Sequence, residues 1–340
     1  MAPWCAVSAD RPRVRTCEAD ELLDLLSSPD AVEELSLAHG CAALVVTGPE
    51  WPAERLSPPQ RRLLEWLPCV TVAPSPQHRW RHLDVITAPG GNDLDRLLRA
   101  VTDRPQASLA LVRLLRAARR SDPYTGLWAE SVTYGLLQSG PEFAAWRAAA
   151  HAPRPSPDEA PSEVQVTRDG GAVDIVLDRP GRHNALDVTL RDALVDALRA
   201  AAADPDVEAV SLRGAGPSFC SGGDLREFGT FPDPVAAHVI RSTRLPARAV
   251  LDVCRKLTVH THGACVGAGV ELAAFAATVM ADPSSTFRLP EVGMGLVPGS
   301  GGTWSVTRRI GSQRTAWLAL TGAEIDAATA LAWGLVDRLE

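Results

Sequence analysis

In "VQVTRDGGAVDIVLDRP", two runs alternate apolar and polar positions on either side of an Asp-Gly-Gly turn, the pattern of a β-hairpin. "NALDVTLRDALVDALRAAAAD" follows, with Leu186, Leu190, Leu194 and Leu198 at helical spacing. "VEAVSLRGAG" reads as a short buried strand ending in a glycine turn. "LTVHTHGACVG" reads as strand then turn, and "VELAAFAATVMAD" as helix then strand. "TWSVTRRIG" and "GSQRTAWLALTG" predict two further helices, and "DAATALAWGLVDRLE" a helix with Gly334 near its C-cap. Strand and helix alternate throughout this half, so the fold class is α/β.

The first half is less regular. "CAALVVTG" and "CVTVAP" are strand-like, whereas residues 92–150 are helical, in "DLDRLLRAV", "ASLALVRLLRAARR" and "GLWAESVTYGLLQSGPEFAAWRAAA". Between the halves, "HAPRPSPDEAPSE" is rich in proline and acid and has no periodicity. It reads as a linker over 151–163, separating a region 1–150 from a region 164–340.

Composition narrows the function. Of the 340 residues 46% are hydrophobic and 22% charged, the profile of a globular protein with real cores. The net charge is −7 and no basic stripe interleaved with aromatics occurs, which argues against nucleic acid as a partner. The seven cysteines are scattered and never paired as CxxC, so neither a disulfide framework nor a metal site is expected. The opening residues show no basic stretch followed by an apolar one. The soft run from Ala264 to Ala281 has the length of a membrane span, but Glu271 at its centre would be costly in lipid. A cytoplasmic location without membrane attachment is the expectation.

That glutamate sits among three glycine-rich turns, "FCSGGDL", "GACVGAGVEL" and "LPEVGMGLVPGSGGT". In the first two, small residues occupy strand-to-helix junctions, where backbone N–H groups lack helical partners. Two such turns facing one another could aim two N–H groups at one oxygen. Neither turn supplies a dinucleotide or phosphate-loop fingerprint, and no GxSxG elbow is present. Asp224 reads as a helix N-cap, Cys220 and Cys265 as buried small hydrophobes, and His260 and His262 as structural.

"RPGRHNALDVTL", "FCSGGDL", "HGACVGAGVELAAFA", "FRLPEVGMGLVPGSGGT" and "RRIGSQRTAWLALTGAEIDAATALAWGLVD" occur in that order. Together they resemble the enoyl-CoA hydratase/isomerase (crotonase) family over residues 163–340. The resemblance implies a spiral of ββα repeats, a trimer or hexamer, and an acyl-CoA thioester substrate. Coenzyme A then arrives as part of the substrate, and no further cofactor is expected. The resemblance places the oxyanion-hole amides on Ser221 and Ala268 and the catalytic carboxylates on Glu271 and Glu291. It places substrate or CoA contacts on Arg182, Asn184, Ala185, Gly222, Gly223 and Asp224. Two glutamates favour hydration or its reverse. The alternatives are another reaction of the family (isomerase, hydrolase or dehydratase) or a non-catalytic acyl-CoA-binding subunit.

The resemblance stops at Glu340, before the helices with which the family closes its site. Residues from about Asn92 to Arg147 resemble those helices, including an acidic "ES" and a final "EF". Residues 1–150 are therefore expected to form a helix-rich, degenerate crotonase-like region whose helices cap the second half.

Overall fold

The computed structural model describes residues 12–48, 56–74, 80, 82–87, 92–149, 163–231 and 233–340. The linker over 151–163 falls almost wholly outside them. Strands β1 (Arg13–Glu18), β2 (Cys41–Thr47), β3 (Val70–Pro74) and β4 (Val85–Thr87) pair in chain order, all parallel. Two of these were visible in the sequence; β1 and β4 are additions. The sheet is covered on both faces, as parallel sheets require. In β2, Ala43 and Val45 join one core while Leu44 and Val46 join another.

Four helices follow, Asn92–Asp103, Pro105–Ala118, Pro123–Gln138 and Pro141–Ala149. Three begin with a proline, which lacks the N–H that a first turn leaves unpaired. Asp122 caps the third by accepting from the amides of Tyr124 and Thr125. The long helical run expected from Gly126 to Ala150 breaks at Gly140–Pro141 for the same reason. Arg116 ties these helices to the sheet. Its guanidinium forms a buried pair with Asp84 at 2.6 Å and donates to the carbonyls of Leu67 and Cys69.

The second half opens with the expected hairpin, β5 (Glu163–Asp169) antiparallel to β6 (Ala172–Asp178). With β7 (Ala209–Gly214), β8 (Leu257–Thr261), β10 (Thr278–Ala281) and β13 (Arg338–Leu339) it forms a six-stranded sheet, otherwise parallel, in the order β13-β10-β8-β7-β6-β5. A smaller sheet holds β9 (Ala264–Val266), β11 (Thr286–Arg288) and β12 (Glu324–Asp326). The chain winds from the large sheet to the small one and back, β8 to β9 to the helix Ala268–Ala273, then β10 to β11 to the turn Glu291–Met294. This winding is the spiral of ββα turns that the resemblance implies.

Three local readings change. The turn after His262 leads into β9. Leu186 precedes its helix, Val188–Ala203, because it bridges to Gly223, and Asp187 is the N-cap. The final residues form β13, because Gly334 ends the helix Ala327–Trp333 in a left-handed conformation. One hydrophobic cluster runs from Ala42 to Val336, so the two halves share a core. Among the described residues no helix is long and apolar enough to cross a membrane.

Candidate active site

The segment Phe219–Cys220 lies alongside β9. The amides of Phe219 and Cys220 donate to His262 and Ala264, and the Val266 amide returns to Cys220 at 2.9 Å. This pairing places the first glycine turn against the second. Gly222 has φ +94°, and a Cβ there would lie 2.9 Å from the Val266 carbonyl oxygen, so only glycine permits the approach.

The bridge between Leu186 and Gly223 decides which amide is available. The Leu186 amide donates to Gly222, and the Asp224 amide donates to Leu186. Gly223 lies between them with its own N–H turned away from the bridge and without a described partner. Ala268 is the first residue of its short helix, and its N–H likewise has none. Gly223 and Ala268 both line a cavity of about 170 Å³. Ser221 does not line it: the Ser221 amide donates to the His183 carbonyl at 2.9 Å. The expected first donor is therefore corrected from Ser221 to Gly223. The register of the Leu186 bridge, which the sequence does not reveal, accounts for the two-residue error.

Glu271 and Glu291 line the same cavity and both are buried. Glu271 Oε2 accepts from the amides of Ser300 and Gly302 at 2.7 and 2.8 Å, and Ser305 Oγ donates to its carbonyl. Burial raises its pKa to about 7, against the pull of those amides. Glu291 Oε2 is buried without a hydrogen-bond partner. Burial first, and then the charge of Glu271, hold the Glu291 carboxyl well above the usual range. A Cβ on Gly267 (φ +52°) would lie only 2.5 Å from Glu291 Oε1, so the Gly267 turn must be bare for Glu291 to reach the cavity.

The other expected contacts divide. Asp224 lines the cavity and caps the turn Leu225–Glu227. Burial opposes its ionisation, but Arg226 and Arg179 overcome this and hold it well below the carboxylate range. Asn184 is corrected to a structural pin. It is fully buried at φ +54°, and its amide group donates to the carbonyls of Ala215, Ser218 and Phe219 while its oxygen accepts from the Arg179 amide. Arg182, Ala185 and Gly222 do not line the cavity. Cys220 and Cys265 are buried partners in a bridge between strands, and burial pushes the Cys220 thiol up to about 12. His260 bonds Glu340, and His262 meets the Gly216 carbonyl, both structural roles.

The first half completes the site with residues that sequence reasoning passed over. Glu130, on the helix Pro123–Gln138, is almost fully buried. Its carboxylate accepts from the Gly301 amide at 2.6 Å, the Thr303 amide at 2.9 Å and the Thr303 hydroxyl at 2.6 Å. The four amides of residues 300–303 thus alternate between Glu271 and Glu130. Burial and the charge of Glu271 raise the Glu130 pKa to about 8. Tyr134, one turn further along the helix, walls the cavity with Gln138, and its ring occupies the space where a Gly299 side chain would go. The signal was present in the acidic "ES" helix, but nothing local ties it to residues 171 and 173 positions away.

A spiral with unpartnered amides and two buried carboxyls around one cavity is the arrangement that the family resemblance implies. The model of the family described as enoyl-CoA hydratase/isomerase matches residues 167–340. The chain belongs to this family. It is 34% identical over 177 residues to the 2,3-dehydroadipyl-CoA hydratase of Escherichia coli (strain K12), covering 52% of this chain and 68% of that protein. Solved structures of enoyl-CoA hydratases from Thermoplasma volcanium and Bacillus anthracis match 52% of this chain. The match spans 71% and 69% of those chains, at 30% and 28% identity and TM-scores of 0.47 and 0.49.

Proposed function

We propose that the chain is an enoyl-CoA hydratase, adding water across the α,β double bond of an acyl-CoA thioester or removing it. The carrying observation is that Glu271 and Glu291 share one cavity with the unpartnered amides of Gly223 and Ala268. The thioester carbonyl oxygen accepts from both amides. Each contributes about 3 kcal/mol as negative charge grows there on forming the enolate.

The two carboxyls divide the proton transfers. Glu271 accepts two amide hydrogen bonds, which favour its ionised form, so it is the base that takes a proton from water as oxygen bonds to the β-carbon. Glu291 has an unpartnered buried oxygen, and burial with the charge of Glu271 raises its pKa well above the usual range, so it is the acid that delivers a proton to the α-carbon. Proton exchange with solvent resets the pair.

The test is hydration of crotonyl-CoA and a longer enoyl-CoA, followed as loss of the conjugated-thioester absorbance. Turnover is expected. Tight binding of both esters with no turnover of either would overturn the proposal in favour of a non-catalytic acyl-CoA-binding role.

A further inference from the structure

Arg241 is a cation in the cavity wall for which the catalytic steps have no use. It lies on the helix Pro234–Arg244, half-buried. Its Nε donates to Ser131 Oγ at 3.0 Å and its Nη2 to the Ser131 carbonyl at 3.3 Å, while His238 Nδ1 holds the same hydroxyl at 2.9 Å. Its guanidinium carbon lies 4.9 Å from the centroid of the Tyr134 ring. The group is therefore fixed by two hydrogen bonds and a stacked ring.

No carboxylate among the described residues lies within ion-pair distance of it. The other two arginines of the cavity differ: Arg191 pairs with Asp192 and Arg244 with Asp196. Glu130 acts on the charge of Arg241, but both Glu130 oxygens are held by Gly301 and Thr303. Glu227 accepts from the Val188 amide, and Glu271 is held by residues 300 and 302. A partly desolvated guanidinium without a counter-charge is costly unless a ligand supplies one.

We infer that Arg241 is a specificity residue for an acyl-CoA whose short acyl tail ends in a carboxylate. The inference rests on the hydratase reading for which end of the substrate lies here. The Tyr134 ring touches Arg241 on its face and Gly299 at its edge, and Ser300, the next residue, binds Glu271. Arg241 is thus one aromatic ring away from the carboxyls that flank the reacting double bond. A group a few carbons beyond that bond reaches it, whereas the phosphates of coenzyme A sit at the far end of the long pantetheine arm. The fork of the guanidinium suits a carboxylate.

Binding decides the matter without turnover. Calorimetric titration compares hexanoyl-CoA with the mono-CoA thioester of hexanedioic acid, which differ only at the tail. The wild-type chain should bind the diacid ester at least about tenfold more tightly, the strength of one desolvated charge-assisted hydrogen bond. Arg241→Met should bring that preference close to one, and Arg241→Lys should retain part of it. Equal binding of both esters by the wild-type chain overturns the inference, and this measurement stands even if the Met variant does not fold. Equal weakening of both esters in Arg241→Met also overturns it, assigning the guanidinium to a CoA phosphate. Because no catalysis is read, failure of the hydratase proposal shows separately as absent turnover.

Discussion

Glu271 and Glu291 are of the same residue type twenty positions apart, and their surroundings separate them. One is held by two amides and the other carries an orphaned buried oxygen. Substituting either by glutamine removes a proton carrier while keeping the volume. Glu271→Gln and Glu291→Gln should each lower kcat by roughly 10²- to 10⁴-fold with little change in affinity for a saturated acyl-CoA. Full rates in both variants would refute the assigned roles. The pH profile carries the same assignment. Hydration needs Glu271 ionised, so kcat should rise as pH increases through about 7. It should fall again at higher pH as Glu291 loses its proton, because burial and the charge of Glu271 hold that carboxyl well above the usual range. A rate independent of pH between 6 and 9 would contradict this. In stability the sign is opposite: both carboxyls have raised pKa values in the folded state. Their contribution is fully present below the unfolded carboxyl range near 4.5 and is lost as pH rises through about 7 and beyond.

Two helices meet over the turn 300–303. The helix Gly302–Ile310 offers the unpaired amides of its first turn, and the helix Pro123–Gln138 brings Glu130 to them. Glu130→Ala would leave two buried amides and a hydroxyl without acceptors, at about 1–3 kcal/mol each. A loss of several degrees in Tm is expected, together with a drop in kcat, because the same turn orients Glu271. Unchanged melting and turnover would show that the alternating arrangement is not needed. The helix spacing, the hairpin and the three glycine turns were all legible in the sequence, because each is written in local chemistry. The pairing of Leu186 with Gly223 was not, since a bridge of one residue leaves no periodic trace, and this shifted the amide assignment from Ser221. Asn184 was misread for a related reason: a side chain that serves three carbonyls within one loop carries no mark distinguishing it from one that serves a ligand.

The two halves of the chain act as one body, through a common core and through the cavity they enclose together. Leu127 and Phe143 are buried in that core, and Tyr134 and Gln138 supply a wall. Residues 163–340 produced alone should therefore be poorly soluble or inactive, with an apolar face uncovered. Adding residues 12–149 as a separate chain should restore part of the activity. A well-behaved, fully active 163–340 fragment would show that the first half is dispensable. The reading of the first half as a cap follows from its "ES" helix, and its parallel four-stranded sheet went half seen because β1 is partly polar and β4 is only three residues long. The order of the pieces also bears on biosynthesis. Glu130 and the turn that receives it are separated by 171 residues or more. At the usual pace of translation the lid leaves the ribosome roughly 10 to 35 seconds before its seat has been made. During that interval the nascent chain carries a finished cover with nothing to close, and a chaperone that shields Leu127 and Phe143 would raise the yield of folded protein.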